Sequence, residues 1–538
     1  MATTAKAITN GKRKREGGLY NSSAKRPATS PARSNETKTS TKTSTSKSTR
    51  QTLGQADAKL NGGSVIPVEL QTESKTGPPS SKAVTNGVAD EGPLHVQMIT
   101  GSYERILHGV AATIPRHLLN SQTEDDTFAV TKPQNEDSVA FSDTFLFAAH
   151  ASAIRCLSVS PSTESNWRYL ATGSSDERIN VYSISTAPPD TSGAAKLPSF
   201  ASNPTAENPR NKSLGTLIHH DRGVTCLQFP AKGKLFSAAE DNTVAISRTR
   251  DWTMLSSIKA PIPKPQGRPS GDTAAPGQTP AGVNDFAIHP SQKLMLSVGR
   301  GERCLRLWNL MTGKKAGVLN FDRDLLAQVG ESRHSSGEGR SVLWAGDGES
   351  YFVGFERGAA LFGVDSQPRA IIKPSPPTKL HCYRMLPVDN KKEVLAVSTE
   401  DGRILFFDTA NAESTDNDKN KLPTCHCIAQ LGGSEAGVAG RIKDFAVIDS
   451  GAAHSSTVLI VAASSDGAIR LWTIPRMINN SSGTTVQQTG RLIGTLETSN
   501  RITCLDAFVL DGAAGLDETS GLNEEEFGGF DDEVGGEI

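Results

Sequence analysis

The sequence predicts an all-β chain, a seven-bladed β-propeller with a disordered tail at each end, and three observations predict it. First, the apolar run Val458-Leu-Ile-Val-Ala-Ala463 breaks at Asp466-Gly467 and resumes as an alternating stretch through Ile469, Leu471 and Trp472. That is the pattern of a buried strand, a tight turn and a second strand. Second, the pattern recurs: Asp176 is followed six residues on by Tyr182, Asp241 by Ser247, Glu302 by Trp308, Glu356 by Phe362, Asp401 by Phe407 and Asp466 by Trp472. Successive acids stand 65, 61, 54, 45 and 65 residues apart, a unit of about 40–45 residues enlarged by insertions. Third, Arg501-Ile-Thr-Cys-Leu-Asp-Ala-Phe508 reads as the first strand of a repeat whose other strands do not follow it. Strand-like stretches between 95 and 149 lack a first strand, and joining the two sets gives a seventh sheet. Such closure removes the unpaired edges that an open ring would expose.

In chain order, residues 1–93 are rich in Ser, Thr, Lys, Gly and Pro and are assigned no structure. Within them Lys12-Arg13-Lys14-Arg15 and, after nine intervening residues, Lys25-Arg26 have the form of a bipartite nuclear-import signal; the alternative is a solvated basic tail. Ser30-Pro31 beside them resembles a proline-directed kinase site, where phosphate would add about 1.5 to 2 negative charges. The folded unit is expected over 94–511, opening with two short strands around Gly101 and a third over 144–150. Six repeats follow, with first strands over 154–159, 224–229, 283–288, 341–345, 379–386 and 441–448. Insertions rich in Pro, Gly, Asn and Ser fall at 186–213, 260–281, 409–424 and 477–489. Residues 501–510 then close the last blade with 95–149, and 512–538 form an acidic tail.

The net charge of −1 conceals opposite ends: residues 1–50 carry twelve Lys/Arg against Glu16 and Glu36, while 517–538 carry nine Asp/Glu and no Lys or Arg. Neither end holds enough apolar surface to offset the entropy of ordering. With no apolar run near the ~18 residues of a membrane span and no hydrophobic leader, an intracellular, soluble protein is expected. Of seven cysteines, Cys156, Cys226 and Cys504 recur at one repeat position, as small apolar residues on a strand face.

Propeller blades often carry a hydrogen-bonded tetrad of His, Ser or Thr, Asp and Trp, each charge-assisted bond worth roughly 1.5–3 kcal/mol. The first repeat offers His150, Thr172, Asp176 and Tyr182; the second, His219 or His220, Ser237 and Asp241, with Ser247 in place of the aromatic. The sixth keeps Asp466 and Trp472 but has Ala462 where a hydroxyl belongs. These residues are read as architectural. Cys425-His-Cys427 with His381-Cys382 is a weak metal pattern lacking a second paired motif. No phosphate loop, His-Glu-x-x-His helix or nucleophile elbow occurs, so neither enzyme nor cofactor is expected. What remains is surface: Arg222, Arg441 and Arg501 stand just ahead of first strands and would line the narrow end of the ring, as a docking patch or as scattered solvated arginines. The tail segment 524–533 sets Phe527 and Phe530 among carboxylates, as a short motif for a basic partner or as a solubilising tail.

The strings Met98-Ile-Thr-Gly-Ser-Tyr-Glu-Arg-Ile-Leu-His-Gly, Ala171-Thr-Gly-Ser-Ser-Asp-Glu-Arg-Ile-Asn-Val-Tyr182 and His219-His-Asp-Arg-Gly-Val-Thr-Cys-Leu227 together carry a resemblance. Ser237-Ala-Ala-Glu-Asp241, Ile288-His-Pro-Ser-Gln-Lys-Leu-Met-Leu-Ser-Val-Gly299 and Arg501-Ile-Thr-Cys-Leu505 extend it over most of 95–510. The chain resembles the PAK-interacting WD-repeat proteins, whose fungal member is the "maintenance of killer" ribosome-assembly factor. The resemblance implies a non-catalytic nucleolar scaffold for maturation of the large (60S) ribosomal subunit. It also implies, as the alternative, a negative regulator of a p21-activated kinase. The expected partners are pre-ribosomal particle proteins or that kinase, with RNA contact left open. Neither membrane nor small-molecule substrate is expected, and the protein should be a monomer within a larger assembly. A ubiquitin-ligase receptor is a further option, disfavoured because Trp308-Asn and Trp472-Thr lack a Trp-Asp-x-Arg string.

Overall fold

A computed structural model describes residues 92–120, 138–162, 166–188, 208, 210–263, 281–387, 393–413, 421–438, 440–449, 457–476 and 486–511. The import-like signal, Ser30 and the acidic tail lie outside them.

The described chain opens with β1 (Leu94–Ser102), β2 (Ile106–Ile114), the short helix α1 (Arg116–Asn120) and β3 (Ala140–Ala148). The first two strands turn at residues 103–105; Gly101, expected between them, lies inside β1. The reason is steric, since a Cβ on Gly101 would meet Ile154 Cγ2 at 2.6 Å and Cys504 Sγ at 2.7 Å. The glycine is required for close approach of two neighbouring strands rather than for a turn.

Blade 1 comprises β4 (Ile154–Val159), β5 (Trp167–Ser174), β6 (Ile179–Ser185) and β7 (Lys212–Leu217). Blade 2 comprises β8 (Val224–Ala231), β9 (Lys234–Ala239), β10 (Thr243–Arg248) and β11 (Met254–Lys259). Blade 3 comprises β12 (Val283–Ile288), β13 (Leu294–Gly299), β14 (Cys304–Asn309) and β15 (Lys314–Asn320). A helix no sequence pattern announced, α2 (Arg323–Val329), follows; Leu325, Leu326 and Val329 are buried in the core between blades 3 and 4.

Blade 4 is β16 (Ser341–Trp344), β17 (Ser350–Gly354), β18 (Ala359–Gly363) and β19 (Pro368–Ile372). Blade 5 is β20 (Leu380–Leu386), β21 (Val394–Thr399), β22 (Arg403–Glu413) and β23 (Thr424–Gly432). Their outer strands pair in parallel at Ile371 and Thr424, so the two blades form one eight-stranded sheet. The expected insertion at 409–424 is therefore corrected: residues 409–413 continue β22 and Thr424 begins β23. Blade 6 is β24 (Ile442–Ile448), β25 (Thr457–Ser464), β26 (Ala468–Pro475) and β27 (Arg491–Glu497). The last strand, β28 (Ile502–Val509), pairs antiparallel with β1, giving blade 7 the order β28-β1-β2-β3.

Burial explains the sequence pattern. Middle strands are covered on both faces by neighbouring blades, so β25 reads as a continuous apolar run. Outer strands such as β7 and β11 are mostly exposed. Apolar side chains gather into seven clusters, one for each interface between adjacent blades. Seven blades with seven interfaces make a closed ring; an open row would have six. The innermost strands run β4, β8, β12, β16, β20, β24 and β28, each beside the next and β28 beside β4. The ring is thus the seven-bladed propeller the repeats predict.

Candidate docking face and the channel it surrounds

The tetrad residues of blades 1 and 2 come together. His150 Nδ1 lies 3.1 Å from Asp176 Oδ2 and its Nε2 lies 2.9 Å from Thr172 Oγ1. Tyr182, in the aromatic position, packs against the core between blades 7 and 1. Blade 2 uses His220, with Asp241 Oδ2 at 3.1 Å and Ser237 Oγ at 2.8 Å. The neighbouring His219 approaches Ser247 Oγ at 3.1 Å, so the hydroxyl that replaces the aromatic has a partner of its own. Burial favours the neutral form of Asp241, but hydrogen bonds from His220 and Thr243 outweigh it and hold the carboxyl at about 2. Asp176 is held low in the same way, burial being overcome by the Ala151 and Arg178 amides and by His150.

Blade 6 departs from the tetrad pattern. Asp466 accepts the amide of Ala468 in its own turn and pairs with Arg470, while Trp472 is packed in the core between blades 5 and 6. With Ala462 where the hydroxyl belongs and Val438 where the histidine would stand, four residues before Ile442, the tetrad bonds of blades 1 and 2 have no counterpart at Asp466 among the described residues. Blade 3 holds a pair that the tetrad search passed over, Trp308 Nε1 donating to Ser297 Oγ at 2.8 Å.

The channel wall is built from the innermost strands, which share one irregularity. Pairing with the second strand slips by a residue just after the start of β4, β8, β12, β20, β24 and β28. Such bulges re-aim the side chains around them. The residue left over is Arg155, Thr225, Asn284, His381, Lys443 or Thr503. In three blades it ties to the next strand of the ring: Thr225 donates to the Val283 carbonyl at 2.7 Å, Asn284 to Gly339 at 2.9 Å and Thr503 to Ile154 at 2.7 Å.

One position on come Cys156, Cys226, Asp285, Cys382, Asp444 and Cys504. Asp285 accepts the Val342 amide of the next blade, Asp444 that of Leu505, and Asp506 that of Val159, each within 2.9–3.0 Å. Cys226 and Cys382 donate S–H to Asp285 at 3.1 Å and to Asp444 at 3.0 Å, so Cys226 is more than the apolar filler expected of it. Arg384 pairs with Asp444 at 3.1 Å. These groups keep some solvent contact at the axis but are otherwise enclosed by protein. Burial accordingly raises the carboxyls of Asp285 and Asp506 and pushes the Cys156 thiol up to about 12. Protonated thiols and amide-bound carboxylates are structural groups, since nucleophilic or ligating sulfur needs the thiolate. Cys425 and Cys427 on β23 are likewise raised by burial, to about 12 and about 11. Among the described residues no group of three or more His, Cys, Asp or Glu could hold a metal ion.

Charge gathers at the mouth where the innermost strands begin. On one arc Arg155 and Arg300 share Glu240 Oε1, at 2.7 and 3.0 Å. On the other, Arg340 and Lys379 flank Glu356 at 3.3 and 2.9 Å, and Arg441 lies 3.4 Å from Glu400. Arg501 stands over the exposed ring of Tyr103, 5.3 Å from its centroid. Of the three arginines singled out by sequence, Arg441 and Arg501 stand ahead of neighbouring blades, 6 and 7, whereas Arg222 is exposed ahead of blade 2, with blade 1 between it and blade 7. Their cationic neighbours Arg340, Lys379 and Lys443 were missed. Arg340 and Lys379 stand just ahead of the first strands of blades 4 and 5, as Arg441 and Arg501 do in blades 6 and 7, and Lys443 follows Ile442, so comparing the starts of the first strands would have found them.

A family model described as "WD domain, G-beta repeat" matches residues 141–183 and 211–246. Each match begins at the outer strand of one blade and ends in the third strand of the next, so the sequence unit bridges two blades. The chain is 26% identical over 412 residues to a p21-activated protein kinase-interacting protein 1-like of Danio rerio, covering 76% of this chain and 80% of that one. To Protein MAK11 of Saccharomyces cerevisiae it is 29% identical over 403 residues, 70% and 77% of the two chains. To Shk1 kinase-binding protein 15 of Schizosaccharomyces pombe it is 23% identical over 319 residues, 59% and 70%.

Proposed function

Because the chain is a WD40-repeat propeller with homologues named MAK11 and p21-activated protein kinase-interacting protein 1-like, we propose that it is a non-catalytic scaffold in large-subunit ribosome assembly. It would act in the nucleolus by binding other proteins at the mouth of its ring, within a larger assembly. The observation that carries the reading is the similarity to MAK11 over 70% of the chain, joined to the ribosome-assembly role that the family resemblance implies. The channel wall is compatible with it, because its acids and thiols are occupied in holding blades together. The basic clusters at Lys12–Arg15 and Lys25-Arg26 support nuclear entry. The decisive experiment is sedimentation of the tagged chain from nuclear extract, with and without ribonuclease, together with depletion. Co-migration with large-subunit precursors and a selective loss of large subunits are expected; absence from those particles, with subunit levels unchanged, rejects the reading.

A second reading, direct binding to a p21-activated kinase, is favoured by the names of the Danio rerio and Schizosaccharomyces pombe relatives. Purified chain and the kinase regulatory segment should then form a complex without other components, and failure to do so removes this alternative.

A further inference from the structure

We propose that the arc of the channel mouth running from blade 4 to blade 7, centred on Lys443, is a docking surface for an acidic segment of a partner protein. The proposal rests on the protein-binding role above but not on ribosome assembly in particular.

Lys443 occupies the bulge position of β24, which in blades 2, 3 and 7 is filled by a side chain tied to the next blade. Lys443 has no such tie; among the described residues it makes no hydrogen bond and no contact ion pair. It is half-buried, and its ammonium is lowered by that burial and then by Arg441, Arg501 and Lys379 nearby, with Glu400 acting against them. His381, the bulge residue of β20, is lowered to about 4 by burial and then by Lys443, Arg441 and Arg340, so it is neutral at physiological pH. The nearby carboxylates are committed: Glu356 to Arg340 and Lys379, and Glu400 to Arg441. A partly desolvated cation surrounded by like charge is costly to hold, and an added carboxylate relieves that cost. On the opposite arc Arg155 and Arg300 share Glu240, so two cations face one carboxylate there, whereas here five cations, Arg340, Lys379, Arg441, Lys443 and Arg501, face the three carboxylates of Glu104, Glu356 and Glu400.

A peptide fits this arc better than a nucleic acid. Glu104, Glu356 and Glu400 are interleaved with the cations and would repel a continuous run of phosphates, whereas a peptide can space its carboxylates between them. The ring offered at the arc, Tyr103, is 58% exposed and lies beside Arg501, a contact suited to one apolar side chain next to an acid.

The test uses the full chain and a short fluorescent peptide of Asp and Glu with a single Phe, read by anisotropy, with an oligouridylate of matched length as competitor. Saturable peptide binding is expected, weakened about tenfold by Lys443→Gln, as for loss of one charge-assisted contact. Lys443→Arg should retain binding, and Arg222→Gln, on blade 2 and outside the arc, should leave it unchanged. Lys443→Gln should melt no lower than the parent, because it relieves repulsion, which separates this role from a structural one. No saturable peptide binding, equal affinity of Lys443→Gln, or displacement by oligouridylate at lower concentration than unlabelled peptide overturns the proposal. If the parent binds the peptide and Lys443→Gln weakens that binding about tenfold, while the parent fails to sediment with pre-ribosomes, only the assembly reading falls. If the parent sediments with pre-ribosomes but does not bind the peptide, only the docking proposal falls.

Discussion

At the scale of single residues, the polar groups in this ring are held by partners that fix their charge. Asp241 is an example, since its depressed carboxyl means that the folded state prefers the anion more strongly than the unfolded chain does. The stability it confers is therefore complete above its unfolded value near 4 and is lost as pH falls towards about 2. Asp241→Ala is expected to cost roughly 1.5–3 kcal/mol at neutral pH, with the difference from the parent narrowing through that acid window. Thermal melts at several pH values check this, with Glu349→Ala, at an exposed turn, as the unchanged control. A parent and variant that stay equally far apart from pH 6 to pH 2 would show that the carboxylate pairing is not the source of the effect.

At the scale of elements, each innermost strand meets three demands: an apolar face between blades, a polar bridge to the next strand and an edge at the channel mouth. Phe445 on β24 serves the first, with no exposed surface. Phe445→Ala should lower stability by about 3–5 kcal/mol, as removal of a buried aromatic usually does. Thr503 on β28 serves the second, with its hydroxyl near the carbonyls of Gly101 and Ile154. Thr503→Val keeps the shape and removes the bridge, so a loss of about 1 kcal/mol is expected by chemical denaturation. Equal midpoints for Thr503→Val and the parent would mean that the bridge between blades 7 and 1 adds nothing. Exposed Ile218, just beyond β7, should tolerate alanine without change in the same assay.

At the scale of the whole molecule, stability depends on closure. The core between blades 6 and 7 includes Ile502 and Leu505 of β28 with Val461 and Leu471 of blade 6, while β28 also pairs with β1. Ending the chain at residue 500 should therefore unseat blade 7 and expose the edge of β1, which is the kind of edge that promotes aggregation. The expected outcome is a broad, lower melting transition and loss of the monomer peak on size exclusion. Adding back a peptide spanning 501–511 should restore part of the transition. A truncated chain that melts sharply at the parent's temperature would argue that the ring does not need its closing strand.

Much of this was legible from residues alone. The six-residue interval from turn acid to strand end, the gap-filled repeat and the orphan strand at 501–508 determined seven blades and their closure, because a blade cannot bury its apolar faces without neighbours on both sides. The residues of the tetrads in blades 1 and 2 were legible too, except the choice between His219 and His220, which the structure makes in favour of His220. The bridges made by Asp285, Asp444 and Asp506 were not, since each joins amides of strands about 60 to 350 residues apart, and hydropathy within one strand carries no sign of it. The sequence does show that Arg222 stands one residue further ahead of its first strand than Arg441 and Arg501 do, but not which charged groups surround each of the three. Repetition determines what each blade is; only the closed circle decides which blades face one another, and hence where unbalanced charge accumulates.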